Sequence, residues 1–366
     1  MKKRILQIIP TLDRSGAEKQ MCLLARGLPA EEFDVHVCAL TRGGPLLVAL
    51  REEGVPTTVI GKRWKLDPEA FWKLRRHVAR LRPDLIHTWL FAADAYGRIA
   101  GLSCGVNHFV AGLRCVDPWK GTLELTFDRR LARWTSRIVA NSPGVRDFYV
   151  GRGLPVDKME VIPNGTPLIP PSPLTRRQCL AELDLPESSR LVGLVGRLAP
   201  QKRVKDAIWA ADLLKVIRDD VHLLILGEGP QRDRLRRYRD QVEIRDKVHF
   251  LGARADVARL LPHFDAVWST SGFEGQSNSI LEAMAAGVPV VASDIPGTRD
   301  LAVPETTGYL YPLGDRAKLA SHTNRLLNNP DLAARLGAAS RARIAAEFRV
   351  ETMIERYAGL YRLVLE

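Results

Sequence analysis

STSGFEGQSNSILEAMAAGVPVVASD, residues 269–294, reads as a loop, a helix and a buried strand. A polar loop, Gly272 to Asn278, leads into an apolar run from Ser279 to Ala286 that suits a helix. Gly287 and Pro289 stop that helix. Val288 to Ala292 then has the character of a short strand in a parallel sheet covered on both faces. Glu274 and Glu282 stand at the two ends of the loop–helix unit, with small polar residues between them. A helix N-terminus offers backbone N–H groups to an anion, and carboxylates beside it accept hydrogen bonds from hydroxyls. A polyhydroxylated, phosphorylated ligand suits that combination.

Outward from this stretch, strand and helix patterns alternate. Upstream, RLVGLVGRL (190–198), HLLILG (222–227), KVHFLG (247–252) and DAVWST (265–270) read as strands, with helices over 204–216 and 256–261. Downstream come a strand at 308–311 and helices over 317–328, 332–348 and 351–365. The first half has the same rhythm. Strands are expected at 4–9, 34–40, 57–60, 85–90, 108–113 and 137–141, and helices at 17–28, 45–54, 68–81, 92–102 and 121–135. Such alternation predicts an α/β protein with parallel sheets. The proline-rich run IPNGTPLIPPSPL (162–174) reads as a stiff connector. The expected domains are therefore 1–165 and 166–350, with the helix 351–366 free to pack back on the first. Two α/β domains joined by a hinge imply a ligand cleft between them.

The chain has 366 residues, 46% hydrophobic and 26% charged, ordinary for a soluble globular protein. No apolar run reaches the roughly 18 residues of a membrane span. The five cysteines are scattered without metal-ligand spacing, so reduced thiols and a cytoplasmic setting are expected, with no metal site. A net charge of +12 favours anionic partners. No nucleic-acid-binding pattern is present, which disfavours nucleic acid. The helix from Phe71 to Arg82 carries Lys73, Arg75, Arg76, Arg80 and Arg82, with Trp64 and Trp72 nearby. Trp119, Lys120, Arg129, Arg130, Arg133 and Trp134 form a second basic–aromatic group. Such helices can lie on an anionic membrane surface, the inner face in this setting, or simply form a solvated face.

Three strand ends carry chemistry. GRLAPQK sets Gly196, Arg197 and Lys202 after one strand, and two cations so spaced could grip one diphosphate. GEGP, with Gly227 and Glu228, follows the next strand. Each alone is weak, since surface cations and turns are common. Their convergence with Glu274 and Glu282 on one domain is harder to assign to chance. In the first half, TLDRSGAEKQ could bring Gly16 against a ligand, or be an ordinary turn, and His87 falls near the end of LIHTWL.

VGRLAPQK, LGEGP, HFLGARADV, FEGQSNSILEAMAAGVPVVASD and GYLYPLGD resemble the retaining glycosyltransferases of glycosyltransferase family 4, which have the GT-B fold of two facing Rossmann-like domains. IIPTLDRSGAEK, PDLIHTWL, RIVANS and VIPNG match that family in character, so the resemblance covers nearly the whole chain. It implies a nucleotide-sugar donor and a glycan or lipid-linked acceptor, with no further cofactor and no obligatory metal. By the same resemblance Arg197 and Lys202 hold the donor diphosphate, and Glu282 binds the ribose. Glu274 lies near the sugar, and N–H groups at Asn278, Ser279 and Ile280 cap the distal phosphate. Gly16 approaches donor or acceptor, and the base lies near Leu251 to Arg254. Relatives often carry a histidine in a VxTxHD setting and two glycines in the first loop. Here the sequence reads VAGLRCVDP, with Arg114 near the histidine position, and the loop has Gly16 alone. His87, Arg114 and Asp117 are the acceptor-side candidates. A nucleotide-sugar epimerase and a non-catalytic sugar-nucleotide-binding protein are the alternatives.

Overall fold

The computed structural model describes residues 2–366, which form two compact units: the residues up to Gly165 together with Val350–Glu366, and Thr166–Arg349. The first unit runs β1 (Lys3–Thr11), α1 (Gly16–Gly27), β2 (Phe33–Arg42), α2 (Pro45–Glu52), β3 (Thr57–Val59), α3 (Pro68–Leu81) and β4 (Leu85–Trp89). It continues with α4 (Leu90–Leu102), β5 (His108–Leu113), α5 (Thr122–Ala132), β6 (Arg137–Ala140), α6 (Pro143–Val150) and β7 (Met159–Val161). The seven strands are all parallel, in the order β3-β2-β1-β4-β5-β6-β7. Winding runs outward in both directions from β1 and β4, so the topological switch point lies between them.

Alternation along β1 feeds both faces of this sheet. Ile5 and Ile9 join Met21 and Leu24 of α1 in one apolar cluster. Leu6 and Ile8 join Leu74 and Val78 of α3 and Ala93 and Ala100 of α4 in another. Right-handed crossovers put α1 and α2 on one face, and α3, α4 and α5 on the other. Helix α3 shows why these residues form a helix. Ala70, Leu74 and Val78 recur every four positions and are buried, Pro68 opens the first turn, and the Asp67 side chain caps it by accepting from the Ala70 N–H at 2.9 Å. Such a cap contributes about 1 kcal/mol.

The second unit runs α7 (Arg176–Glu182), β8 (Arg190–Val195), α8 (Val204–Ile217), β9 (Val221–Leu226), α9 (Arg232–Gln241), β10 (Val248–Gly252) and α10 (Val257–Leu260). Then follow β11 (Ala266–Ser269), α11 (Asn278–Ala285), β12 (Val290–Ser293), α12 (Pro296–Arg299), β13 (Gly308–Tyr311), α13 (Arg316–Leu327) and α14 (Pro330–Glu347). Its six parallel strands lie in the order β10-β9-β8-β11-β12-β13, with the switch point between β8 and β11. The opening stretch thus supplies β11, α11 and β12. Gly287 ends α11 at φ +74°, the left-handed turn that a side chain resists.

The last helix, α15 (Val350–Leu365), belongs to the first unit. It buries Met353, Tyr357, Leu360 and Tyr361 in the cluster of β1 and α1. Gly27 of α1 permits this approach, because a Cβ there would meet Ile354 at 2.0 Å. Arg362 adds a two-pronged ion pair to Glu32, both contacts at 2.7 Å.

Several elements have no counterpart in the sequence reading: α6, β7, α7, α9 and α12. In α9 only Leu235 is buried, so RDRLRRYRDQ carries almost no apolar period. β7 has three residues, all half-buried, and α12 has four.

Candidate functional site

In the second unit the loops after β8, β9 and β11 meet on one rim of the sheet, at the strands' carboxyl ends. The β8 loop is stitched to the β9 loop by backbone bonds. Gly196 N–H donates to Leu226 O at 3.0 Å, Leu198 N–H to Glu228 O at 2.9 Å, and Gln231 N–H to Leu198 O at 3.0 Å. GEGP is therefore more than a flexible turn. A Cβ on Gly227, at φ +152°, would fall 1.9 Å from Gly196 O, and one on Gly229 would fall 2.5 Å from Leu198 O. Only glycines let the two loops touch here. Glu228 points aside to Arg232, at 3.3 Å.

On the other side the β8 loop is stitched to the β11 loop. Gly272 N–H donates to Gln201 O at 2.8 Å, and the Thr270 hydroxyl donates to Lys202 O at 2.7 Å. Lys202 Nζ forms an ion pair with Glu274 Oε1. The Ser271 hydroxyl donates to the same oxygen at 2.6 Å, and Gln201 Nε2 holds Phe273 O at 2.8 Å. The two charged side chains are 20% and 10% exposed, so the pair sits inside the rim and still reaches solvent. Arg197 lies six residues upstream of Arg203 and is exposed, with no side-chain partner among the described residues. Arg203 itself adopts φ +47° as it enters α8.

Helix α11 begins at this rim. Its N-cap, Ser277, makes no side-chain capping bond. Helix α11 thus opens, at Asn278, Ser279 and Ile280, without a side-chain cap from Ser277, and a helix start attracts anions. Glu282 follows Asn278 by four residues, so both lie on one side of the helix. Ile280, Leu281, Met284 and Ala285 bury the other side. The rim has a floor that the sequence did not reveal. The Ser293 hydroxyl donates to Ser271 O at 2.6 Å, and Gly297 of α12 backs the Glu274–Gly275 peptide, where a Cβ would lie 2.0 Å from Gly275 O. These residues are ordinary in sequence, and only the close packing marks them. Leu251 to Arg254 span the end of β10, the edge strand of the same sheet, and the turn after it, with Arg254 paired to Asp256 at 2.6 Å.

The first unit holds Gly16, His87, Arg114 and Asp117. Gly16 is exposed at the start of α1, past the end of β1. Leu90, following β4 at the same switch point, takes φ +69°, a conformation costly for a side chain. His87 is the third of five residues in β4, not near its end, and is wholly buried. Its Nδ1 shares a hydrogen bond with the Tyr361 hydroxyl at 2.6 Å, while its Nε2 is buried without a partner. Burial, reinforced by the charge of Arg114, holds its pKa well below the ordinary value, so the ring is neutral. Arg114 is also enclosed. It stacks on Trp89 at 4.8 Å, donates to Tyr357 Oη at 3.2 Å and bonds Asn164 Oδ1. Both groups expected to face an acceptor instead help dock α15. Asp117 keeps some surface, accepting from Trp119 Nε1 at 3.1 Å and from Tyr149, with Lys120 at 3.4 Å. Among the described residues no group of three or more His, Cys, Asp or Glu side chains is placed to hold a metal ion.

Comparison with known proteins bears on this rim. The family profile "Glycosyltransferase Family 4" matches residues 14–168, and "Glycosyl transferases group 1" matches residues 176–343. The chain is 28% identical over 330 residues to the UDP-Gal:alpha-D-GlcNAc-diphosphoundecaprenol alpha-1,3-galactosyltransferase of Escherichia coli, covering 85% of this chain and 84% of that one. It is 24% identical over 369 residues to the lipopolysaccharide core biosynthesis glycosyltransferase LpsD of Rhizobium meliloti (strain 1021), covering 89% and 97%. The crystal structure of Anabaena HepE in complex with UDP and glucose aligns with a TM-score of 0.89 at 24% identity, over 99% of this chain and 100% of that one, which shows the fold. Two doubly wound parallel sheets, the order of the rim motifs and both profiles agree: the chain is a GT-B glycosyltransferase and belongs to the group 1 glycosyltransferases of family 4.

Proposed function

We propose that the protein transfers a sugar from a nucleotide-diphosphate donor to a glycan or lipid-linked acceptor, with retention of anomeric configuration. The observation that carries this reading is the Lys202–Glu274 pair at the second unit's switch point, between the exposed Arg197 and the uncapped start of α11. In the reaction the acceptor oxygen bonds to the anomeric carbon, the bonding pair of the cleaved C–O bond leaves with the nucleoside diphosphate, and the acceptor hydroxyl's proton passes to the departing phosphate oxygen. Negative charge therefore grows on the diphosphate, and preorganised positive groups stabilise it. Arg197, Lys202 and the first N–H groups of α11 supply that charge, and in this reading no obligatory metal is needed. Glu282 takes the ribose hydroxyls, and Glu274, steadied by Ser271, faces the sugar. The name of the E. coli relative supports a lipid-diphosphate acceptor. We place the reaction in the cytoplasm, in keeping with five free thiols. An NMR assignment of the product's anomeric centre tests the reading. An α-linked donor should yield an α-linked product, and a β-linked product contradicts retention. Conversion of the donor with no acceptor present would instead favour an epimerase.

A further inference from the structure

We propose that the α3–α5 layer of the first unit carries a membrane-insertion edge, a row of exposed indoles and leucines set among cations, which docks on an anionic lipid surface. Trp64 is 68% exposed, Leu66 84%, Trp72 58%, Trp119 57% and Leu123 84%. Large apolar side chains this exposed call for an explanation when they cluster, and tryptophan favours the membrane interface. Their placement makes one edge of them. Trp64 and Leu66 follow β3, Trp72 is in the first turns of α3, and Trp119 and Leu123 lie between β5 and the first turn of α5. All of them therefore stand toward the carboxyl ends of the strands, on the sheet face that α3, α4 and α5 cover.

Helix α4 ties the two groups together. Asp67 N–H donates to Tyr96 Oη at 2.6 Å, and Phe71 packs edge-on against Tyr96 at 6.5 Å. Phe91, the second residue of α4, meets Trp119 edge-on at 5.7 Å and Phe127 at 6.4 Å. The two apolar prongs thus flank α4 on either side, roughly 20 Å apart if each helix sits about 10 Å from the next. Between Lys62 and Arg82 there are eight Lys or Arg residues against two acidic ones. Lys65 and Arg76 are exposed and have no side-chain partner among the described residues, and Arg63 is exposed beside Glu69. Charge of this sign selects anionic headgroups. Three members of the expected basic–aromatic groups play no part. Lys120 is buried against Asp128 at 2.9 Å, and Phe71 is half-buried against Tyr96. Trp134 is exposed but follows the C-terminal end of α5, away from the edge.

The test uses the full chain with no donor or acceptor, so its outcome does not depend on the transfer reaction. Vesicles of phosphatidylglycerol and phosphatidylcholine, of phosphatidylcholine alone, and of phosphatidylglycerol with brominated acyl chains are sedimented with the protein. The wild type should pellet with the anionic vesicles and stay in solution with the neutral ones, and bromines should quench its tryptophan emission. Combined Trp64→Ser, Leu66→Ser and Leu123→Ser changes should lower partitioning at least tenfold. Lys65→Glu with Arg76→Glu should do the same, as roughly 1 kcal/mol per basic residue, or about fivefold each, implies. Unchanged circular dichroism of each variant shows that folding is intact. A wild type that stays in solution with anionic vesicles, or pellets without quenching, overturns the proposal. So do variants that partition as the wild type does.

Discussion

Lys202 and Glu274 show how much a single residue's neighbours decide. Each is a common surface type, and spacing alone suggested only that Lys202 and Arg197 share a strand end. The fold adds the ion pair, the Ser271 bond to the same carboxylate oxygen and the Gln201 brace. The ion pair and the Gln201 brace are not legible from sequence, because each joins residues 72 apart on two loops that meet at one rim. His87 and Arg114 fail in the opposite sense. Their types suit catalysis, yet both are enclosed by residues of α15, whose contact with β4 and β5 leaves no local trace. Asp94 offers a quantitative check at this scale. It is wholly buried beside Arg98, with Asp128 and Lys120 near, and accepts from the Thr88 hydroxyl; burial pushes its carboxyl up to about 6. The folded chain then holds a proton between about pH 4 and 6 that the unfolded chain has released, so stability falls as pH rises through that window. Asp94→Asn removes this penalty. Its stability relative to wild type should rise by up to ~3 kcal/mol between pH 4 and 7, measured by urea midpoints. A difference that stays constant with pH contradicts the assignment.

Among elements, long periodic ones were legible and short or polar ones were not. The range Pro68–Leu81 of α3 follows from its apolar period, its cap and its proline. The periodless α9 and the three-residue β7 are held by tertiary contacts. Close approach is the other hidden term. A Cβ on Gly337, in the middle of α14, would lie 2.0 Å from Gly287 O at the end of α11. The helix that carries Glu282 is therefore buttressed by a bare backbone contact. Gly337→Ala gains helix propensity but forces the two helices apart. It should lower stability by ~1–3 kcal/mol in thermal or denaturant unfolding, whereas Gly359→Ala, where a Cβ meets nothing within 4 Å, should not. Equal behaviour of the two variants would contradict the packing described.

At the scale of the whole molecule, strand–helix alternation carried the fold, because parallel sheets buried on both faces need near-continuous apolar strands with helices between them. The observed strand orders give two switch points, and at the second unit's the Lys202–Glu274 pair is found. What alternation could not supply is the choice of base, sugar and acceptor, since those are set by backbone groups and by surface shape. The decisive measurement is calorimetric titration of the full chain with UDP, GDP and ADP, repeated on Arg197→Ala and Lys202→Ala. One of the three nucleotides should bind the wild type, and each variant should weaken that binding at least tenfold, in line with charge-assisted contacts of roughly 1.5–3 kcal/mol. If no nucleoside diphosphate binds, or if the variants bind as tightly as the wild type, the rim of β8, β9 and β11 is not the donor site.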